Sequence, residues 1–367
     1  MPIYRAKYDI LQTGGNKMKK ILSLLLVCLM LVMTVTGCSN AQESNTQSDE
    51  TTGTAEQTYS GTVMLYSSMQ EEQLQAVKEA FEKEYPGITM EYYFASGGKV
   101  ITKMTTEAQA GQINADVIWL GDPSDYEGFK KNGYLQQYTS SETDHIASNY
   151  TDADGYYTAA RLVTMGVSWC TLPGTGIEEA DAPKTWNDFL DPKYKGQIIC
   201  TDPAQASTTK YWMACMMQNP KYGEEFFKKL KDNGTELGSG TTDTHNAVAG
   251  GKYQVGFCLD YVSANLMAEG SPLQFHYTTE DVVTMTSPVA LINNCANAEN
   301  GKHLIDFILS KKGQEVLVEQ NLVSVRDDVV NSVDTSAIAA INMTVDFNDL
   351  AENTDKYLEK FNEIFGK

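Results

Sequence analysis

Five short segments hold the polar residues best placed to do chemistry: Ser67-Ser68-Met69-Gln70, Ser96-Gly97-Gly98, Gly121-Asp122, Gln205-Ala206-Ser207-Thr208 and Asp260-Tyr261. Each follows an apolar run, and most stand at or near the start of a helical pattern. A helix N-terminus offers unpaired N–H groups and the positive end of the helix dipole, so hydroxyls and glycines there favour an anionic group. The same residue types are ordinary caps and turns when taken singly. Their recurrence at one kind of strand edge is what describes a binding site.

Covalent chemistry is poorly served. The chain has no G-x-S-x-G elbow, no GxxxxGK[ST], no H-E-x-x-H and no GxGxxG. Its histidines, His145, His245, His276 and His303, are scattered over predicted loops and helix surfaces. No catalytic residue, metal or cofactor is therefore expected. Trp119 and Trp212 lie in apolar runs and read as core. No CxxC occurs, and Cys170, Cys200, Cys215, Cys258 and Cys295 read as buried small hydrophobes, with room for one disulfide among them.

The segments need a scaffold. Residues 62–67 form an unbroken apolar strand of the kind buried in a parallel sheet, and Ser68 with Glu71 reads as a capping box. Leu74, Val77, Phe81 and Tyr85 then recur at helical spacing until Pro86-Gly87. A strand at 88–94 with a helix at 100–110 repeats the plan, and a strand at 115–120 leads through Asp122 as N-cap into a third helix. Strand, loop and helix in succession predict a doubly wound α/β lobe. A crossing strand after residue 160 opens a second α/β lobe: strands 197–200 and 253–259, and helices carrying Tyr211 and Trp212 and spanning 224–231. Residues 286–293 read as the return strand, followed by helices expected to pack on the first lobe. In such sheets ligands sit beyond the carboxyl ends of the strands, where all five segments fall.

The N-terminus sets the compartment. Lys19-Lys20, an uncharged apolar run from Ile21 to Val35 and small residues ending at Gly37-Cys38 read as a secretory signal, too short for a spanning helix. The end of this signal resembles a bacterial lipobox, which implies that Cys38 is acylated as the first mature residue. Residues 1–17 precede a more natural start at Met18 and read as an upstream-start artefact or tag. Residues 38–60, polar and without periodicity, read as a disordered tether from the lipid. Residues 1–37 hold five basic residues and one acid, so setting them aside takes the formal charge from −20 to −24. A surface so negative disfavours nucleic acid and anionic headgroups as partners.

Several runs resemble one family. Val63-Met64-Leu65-Tyr66-Ser67-Ser68, Ala115-Asp116-Val117-Ile118-Trp119, Thr185-Trp186-Asn187-Asp188, Asp191-Pro192-Lys193-Tyr194-Lys195-Gly196, Asp202-Pro203-Ala204, Ala247-Val248-Ala249-Gly250-Gly251 and Leu309-Ser310-Lys311-Lys312-Gly313-Gln314 are similar to the bacterial extracellular solute-binding proteins of ABC importers, in the branch of ferric-ion, phosphonate, hexose-phosphate and thiamine binders. The resemblance implies a two-lobed, type II periplasmic-binding-protein-like fold. Each lobe is a mainly parallel sheet flanked by helices, hinged by crossing strands, and the lobes close over a solute. The division expected is 61–164 with 282–367 for the first lobe and 165–281 for the second. Also implied are an ABC permease and ATPase as partners, a monomer held to the extracytoplasmic membrane face by lipid alone, and no enzymatic activity. Ferric binders place two adjacent tyrosines after the strand that here ends at Leu259, and a histidine after the first strand. This chain has Asp260-Tyr261-Val262 and Met69-Gln70 there, which weakens the case for iron. Ser207 and Thr208 match the loop that holds an anion in relatives. An organophosphate or phosphonate on that loop, with Asp260 and Asp122 reading hydroxyl or amino groups, is the expected solute. Ferric ion, cationic solutes such as thiamine or polyamines, and a sensor role are the alternatives.

Overall fold

The apolar run at 62–67 lies inside a sheet, as its composition demands, with Val63, Leu65 and Tyr66 buried. The structure, a computed structural model, describes residues 59–367; the signal segment, Cys38 and all but the end of the tether lie outside the described residues. The chain starts with β1 (Gly61–Ser67), α1 (Glu71–Glu84), β2 (Ile88–Phe94), α2 (Gly97–Gln109), β3 (Val117–Trp119), α3 (Ser124–Lys131), β4 (Leu135–Gln136) and β5 (Thr158–Ala159). It crosses in β6 (Val163–Cys170) and continues through β7 (Ile198–Thr201), α4 (Ser207–Gln218), α5 (Gly223–Asp232), β8 (Glu236–Gly238), α6 (Thr241–Ala249), β9 (Val255–Leu259), α7 (Asp260–Ala268), β10 (Leu273–His276) and β11 (Val283–Met285). It returns in β12 (Pro288–Ile292) and ends with α8 (Ala298–Leu309), α9 (Lys311–Glu319), α10 (Thr335–Ala340) and α11 (Phe347–Phe365).

Two 6-stranded sheets result, ordered β2-β1-β3-β12-β4 with β5 on β12, and β10-β6-β9-β7-β8 with β11 on β6. β12 is antiparallel to its neighbours β3, β4 and β5, and β6 is antiparallel to β9, β10 and β11; the ladders β1–β2, β1–β3, β7–β8 and β7–β9 are parallel. In each sheet, then, the one reversed strand borders a crossing between lobes. The links are short: residues 160–162 join β5 to β6, and residues 286–287 join β11 to β12. Two adjacent crossings of this length are a hinge.

Three expectations shift. Val163 and Thr164 pair with Met285 and Thr284 in the second sheet, so the lobes divide nearer the two crossings than at 164/165 and 281/282. The last helix does not return to the first lobe alone: α11 packs chiefly on α4 and α5, where Phe361 meets Phe227 edge-on at 5.3 Å, and it also touches α3. The second lobe has the aromatic core to receive it, in which Trp186, Phe189, Trp212 and Phe257 stack or tilt against one another. Finally, His245 is buried rather than on a helix surface. Leu259 N–H donates to its Nε2 at 2.9 Å, its Nδ1–H donates to Thr241 O at 2.7 Å, and burial pushes its pKa down to about 4. Among the described residues the five cysteines are free thiols, all buried except the half-buried Cys295.

The family-like runs prove to be scaffold. Asp116 accepts from Met64 N–H and Asn297 N–H, both at 2.8 Å, pinning β1 and the start of α8 to β3. Gln314 is fully buried, donates to Ala160 O at 2.7 Å and accepts from Ser324 Oγ at 2.7 Å, which holds α9 against the hinge.

Candidate functional site

The lobes touch where two helices start. Gly97 opens α2 in the first lobe and Ser207 opens α4 in the second; a Cβ on Gly97 would fall 1.7 Å from Ser207 Oγ. Beside them a Cβ on Gly121 would lie 2.7 Å from Thr208 Cγ2. Only glycine lets the backbones approach this closely. Two positive helix ends thus converge on one seam, each with first-turn N–H groups lacking intrahelical partners. Ser207 Oγ is buried there with no hydrogen-bond partner. Ser96, half-buried, stands at the N-cap of α2 and makes no side-chain cap bond.

The hinge supplies a charge. Arg161, in the first crossing, is only 2% exposed. Its guanidinium lies over the rings of Trp119 from β3 and Tyr261 from α7, at 5.8 and 5.3 Å. Nε donates to Ser287 Oγ at 3.2 Å in the second crossing, and Nη1 reaches Gln73 Oε1 of α1 at 3.4 Å. Ser287 Oγ in turn donates to Leu120 O at 2.9 Å, which joins the hinge to the Gly121 turn. Among the described residues no carboxylate oxygen comes within the 4.0 Å that defines an ion pair to Arg161. Burial pulls its pKa down, opposed by the pull of Tyr261 and Asp260. Gln73 is 1% exposed, and its Nε2 has no partner. A buried cation without an ion-paired carboxylate, beside the orphaned Gln73 Nε2, is costly unless a further acceptor arrives.

Asp260 lies on the second lobe's side of the hinge, at the first turn of α7 rather than in the loop its neighbours suggest. It accepts from Tyr261 N–H at 2.8 Å and Thr164 N–H at 3.2 Å, with Tyr277 Oη 3.4 Å away. Burial lifts its pKa to about 7, against the lowering effect of those bonds and of Arg161. The folded protein therefore keeps a proton that the unfolded chain has lost between about pH 4 and 7, so this group's contribution to stability falls as pH rises through that window. A rise from 3.8 to about 7 corresponds to on the order of 4 kcal/mol. Urea unfolding of Asp260→Asn should track the wild type near pH 4 and gain on it steadily up to pH 8. Parallel curves would refute the assignment.

The remaining predicted residues are scaffold or seam. Ser67 Oγ donates to Trp119 O at 2.8 Å and accepts from Met69 N–H, so it shapes the β1–α1 turn. The capping box of Ser68 and Glu71 does not form, because Gln70 occupies the N-cap without a side-chain bond. Ser68 is half-buried beside Trp119, its N–H 3.4 Å from that residue's carbonyl. Asp122 is fully buried; Oδ1 accepts from Ser124 N–H and Oγ, while Oδ2 faces Lys210 of the other lobe at 3.4 Å. Gln205 is exposed on the loop before α4. Gln73, Arg161, Lys210 and Ser287 join the site without having been predicted, and a single charge inside the apolar run 158–170 is the signal that points to Arg161. The one cluster of metal-ligating groups among the described residues is His145, Asp327 and Asp328, away from the seam; Arg326 already holds Asp328 through two bonds.

This geometry has relatives. The profile of the bacterial extracellular solute-binding protein family matches residues 62–320, and the chain belongs to that family. It is a solute-binding protein of the ABC-importer class and acts outside the cytoplasm; the family's members are binding proteins rather than enzymes. A Haemophilus influenzae protein of unassigned role is 28% identical over 271 residues, covering 71% of this chain and 76% of the relative. A Salmonella typhimurium periplasmic protein, provisionally named as 2-aminoethylphosphonate-binding, is 25% identical over 266 residues, covering 69% and 74%. The fold is shared with the periplasmic binding protein AfuA of Actinobacillus pleuropneumoniae, solved with fructose-6-phosphate (TM-score 0.75, 22% identity, 83% and 98% covered). It is shared also with a ferric binding protein of Campylobacter jejuni (TM-score 0.70, 19% identity, 82% and 99% covered).

Proposed function

We propose that the chain captures a small solute bearing a phosphate or phosphonate between its lobes and delivers it to a membrane permease, held at the membrane by a lipid on Cys38. The observation that carries the reading is Arg161: a hinge guanidinium, 2% exposed and without an ion-paired carboxylate, flanked by residues of both lobes. The orphaned Gln73 Nε2 and Ser207 Oγ are further donors in want of an acceptor. A phosphoryl group supplies several acceptor oxygens at once, and its charge suits both Arg161 and the facing helix ends. Asp260 offers a carboxylate to an amino or hydroxyl group on the same solute. Relatives named for 2-aminoethylphosphonate and solved with fructose-6-phosphate fit this pairing of anion and polar tail. A buried guanidinium repels ferric ion, thiamine and polyamines, which weighs against the cationic alternatives.

Calorimetry and thermal shift against 2-aminoethylphosphonate, fructose-6-phosphate, inorganic phosphate, ferric citrate, thiamine and spermidine test the class, because a ligand selective for the native state raises its melting point. Binding confined to the last three would refute the proposal. Ser207→Ala should weaken the phosphorylated or phosphonate solute by about 1–3 kcal/mol, the range for a hydrogen bond to a charged group. Thr208→Ala should do less, because Thr208 turns its methyl toward Gly121.

A further inference from the structure

We propose that Lys210 is a closing latch, seated between Asp122 and Asp125 of the opposite lobe, and that it sets solute affinity through the population of closed protein rather than by touching the solute. Lys210 projects from α4 in the second lobe. Its Nζ lies 2.5 Å from Asp125 Oδ1 and 3.4 Å from Asp122 Oδ2. Both acids belong to the turn and first residues of α3 in the first lobe. The side chains of Lys210, Asp125 and Asp122 are 13%, 12% and 0% exposed, far less than ordinary surface pairs. Asp122 Oδ2 and Asp125 Oδ2 have no hydrogen-bond partner, so this ammonium is what compensates them. Burial works against the charge on Lys210, but attraction to Asp125 and Asp122 outweighs it and raises the pKa.

Position makes the cluster a latch. Bending at residues 160–162 and 286–287 would separate Lys210 from both acids without breaking any strand ladder. Packing around the ammonium is incomplete: a cavity of about 220 Å³ lies beside the pair, with Thr354 and Asp355 of α11 on its wall. Without the ammonium, closure would press Asp122 and Asp125 together, out of water, near Asp355. Removing one partner of a buried pair leaves the other's charge uncompensated; burial already lifts the Asp125 pKa to about 7, and above that pH opening is what returns both acids to water.

The latch rests on hinge closure and not on the identity of the solute, so it can be tested with the ligand-free protein. Dyes on the exposed positions Glu91→Cys and Glu269→Cys, one per lobe, in a Cys295→Ser background, report closure by single-molecule energy transfer. The otherwise unaltered protein should visit a high-transfer closed state. Lys210→Met should lower its closed-to-open ratio at least tenfold, and Lys210→Arg should keep most of it. Asp125→Asn removes the pair from the other lobe and should act in the same direction, so a folding defect confined to Lys210→Met does not decide the matter. Ratios within twofold across these variants, or no closed state without ligand, overturn the latch. Solute binding that survives Arg161→Met would sink the anion reading and leave the latch standing.

Discussion

Arg161→Met is expected to weaken binding of the phosphorylated or phosphonate solute by on the order of a hundredfold or more while leaving the ligand-free protein at least as stable as before. The two effects have one origin. The guanidinium is 2% exposed, without an ion-paired carboxylate, and burial already pulls its pKa down. Holding an unpaired charge in that position costs several kcal/mol, offset in part by stacking on Trp119 and Tyr261 worth about 2 kcal/mol. Methionine keeps much of the length and apolar contact and removes the charge. The melting point should therefore hold or rise by roughly 2 °C or more. Binding answers in the opposite direction. Truncating one partner of a buried charge pair costs about 2–5 kcal/mol, so affinity should fall on the order of a hundredfold or beyond. Calorimetry with 2-aminoethylphosphonate or fructose-6-phosphate and a melting curve on the same preparation give both readings. A stability loss with affinity intact would make Arg161 a structural residue and leave the anion without its main partner.

That residue also marks the limit of what could be read without coordinates. The scaffold was legible because its signals are local. Leu74, Val77 and Phe81 bury one face of α1, and the parallel strands read as apolar runs because both their faces are covered. The glycine and hydroxyl segments were legible as helix starts, and Gly97 and Ser207 do meet at the seam. Arg161 was only half legible: a lone charge in the apolar run 158–170 marks the position, but its role depends on a counter-ion it lacks, and absence of a partner has no local pattern. Lys210 reads as one more charge on a helix until the hinge brings α3 opposite it. Asp122 shows the same limit from the other side: its bond to Ser124 N–H follows from spacing, although Pro123 and not Asp122 stands at the N-cap of α3, whereas its second oxygen facing Lys210 is a fact of closure. The resemblance to importer proteins rested on runs such as Ser310 to Gln314, which hold the hinge in place and say nothing about the solute.

Gly97→Ala should separate closure from folding. A Cβ there would stand 1.7 Å from Ser207 Oγ and 2.9 Å from Ser207 Cβ, distances that no small adjustment of the side chain relieves. Both atoms lie on the other lobe, so the clash exists only when the lobes meet. Within its own lobe the substitution is mild, because alanine in a helix is favoured over glycine by about 1 kcal/mol. Thermal stability of the ligand-free protein should be unchanged or slightly higher. The closed form should be penalised by about 1–3 kcal/mol, as for other overpacked contacts. Apparent affinity scales with the fraction of protein able to close, so the same penalty appears as a loss of up to about a hundredfold in binding, with no solute contact removed. Ser207→Gly in the Gly97→Ala background clears the obstructing side chain. It should restore closure in small-angle scattering of the solute-saturated protein, while affinity stays below wild type for want of the Ser207 hydroxyl. If Gly97→Ala instead binds and compacts like the wild type, the helix ends do not meet over the solute, and the converging dipoles would lose their part in holding it.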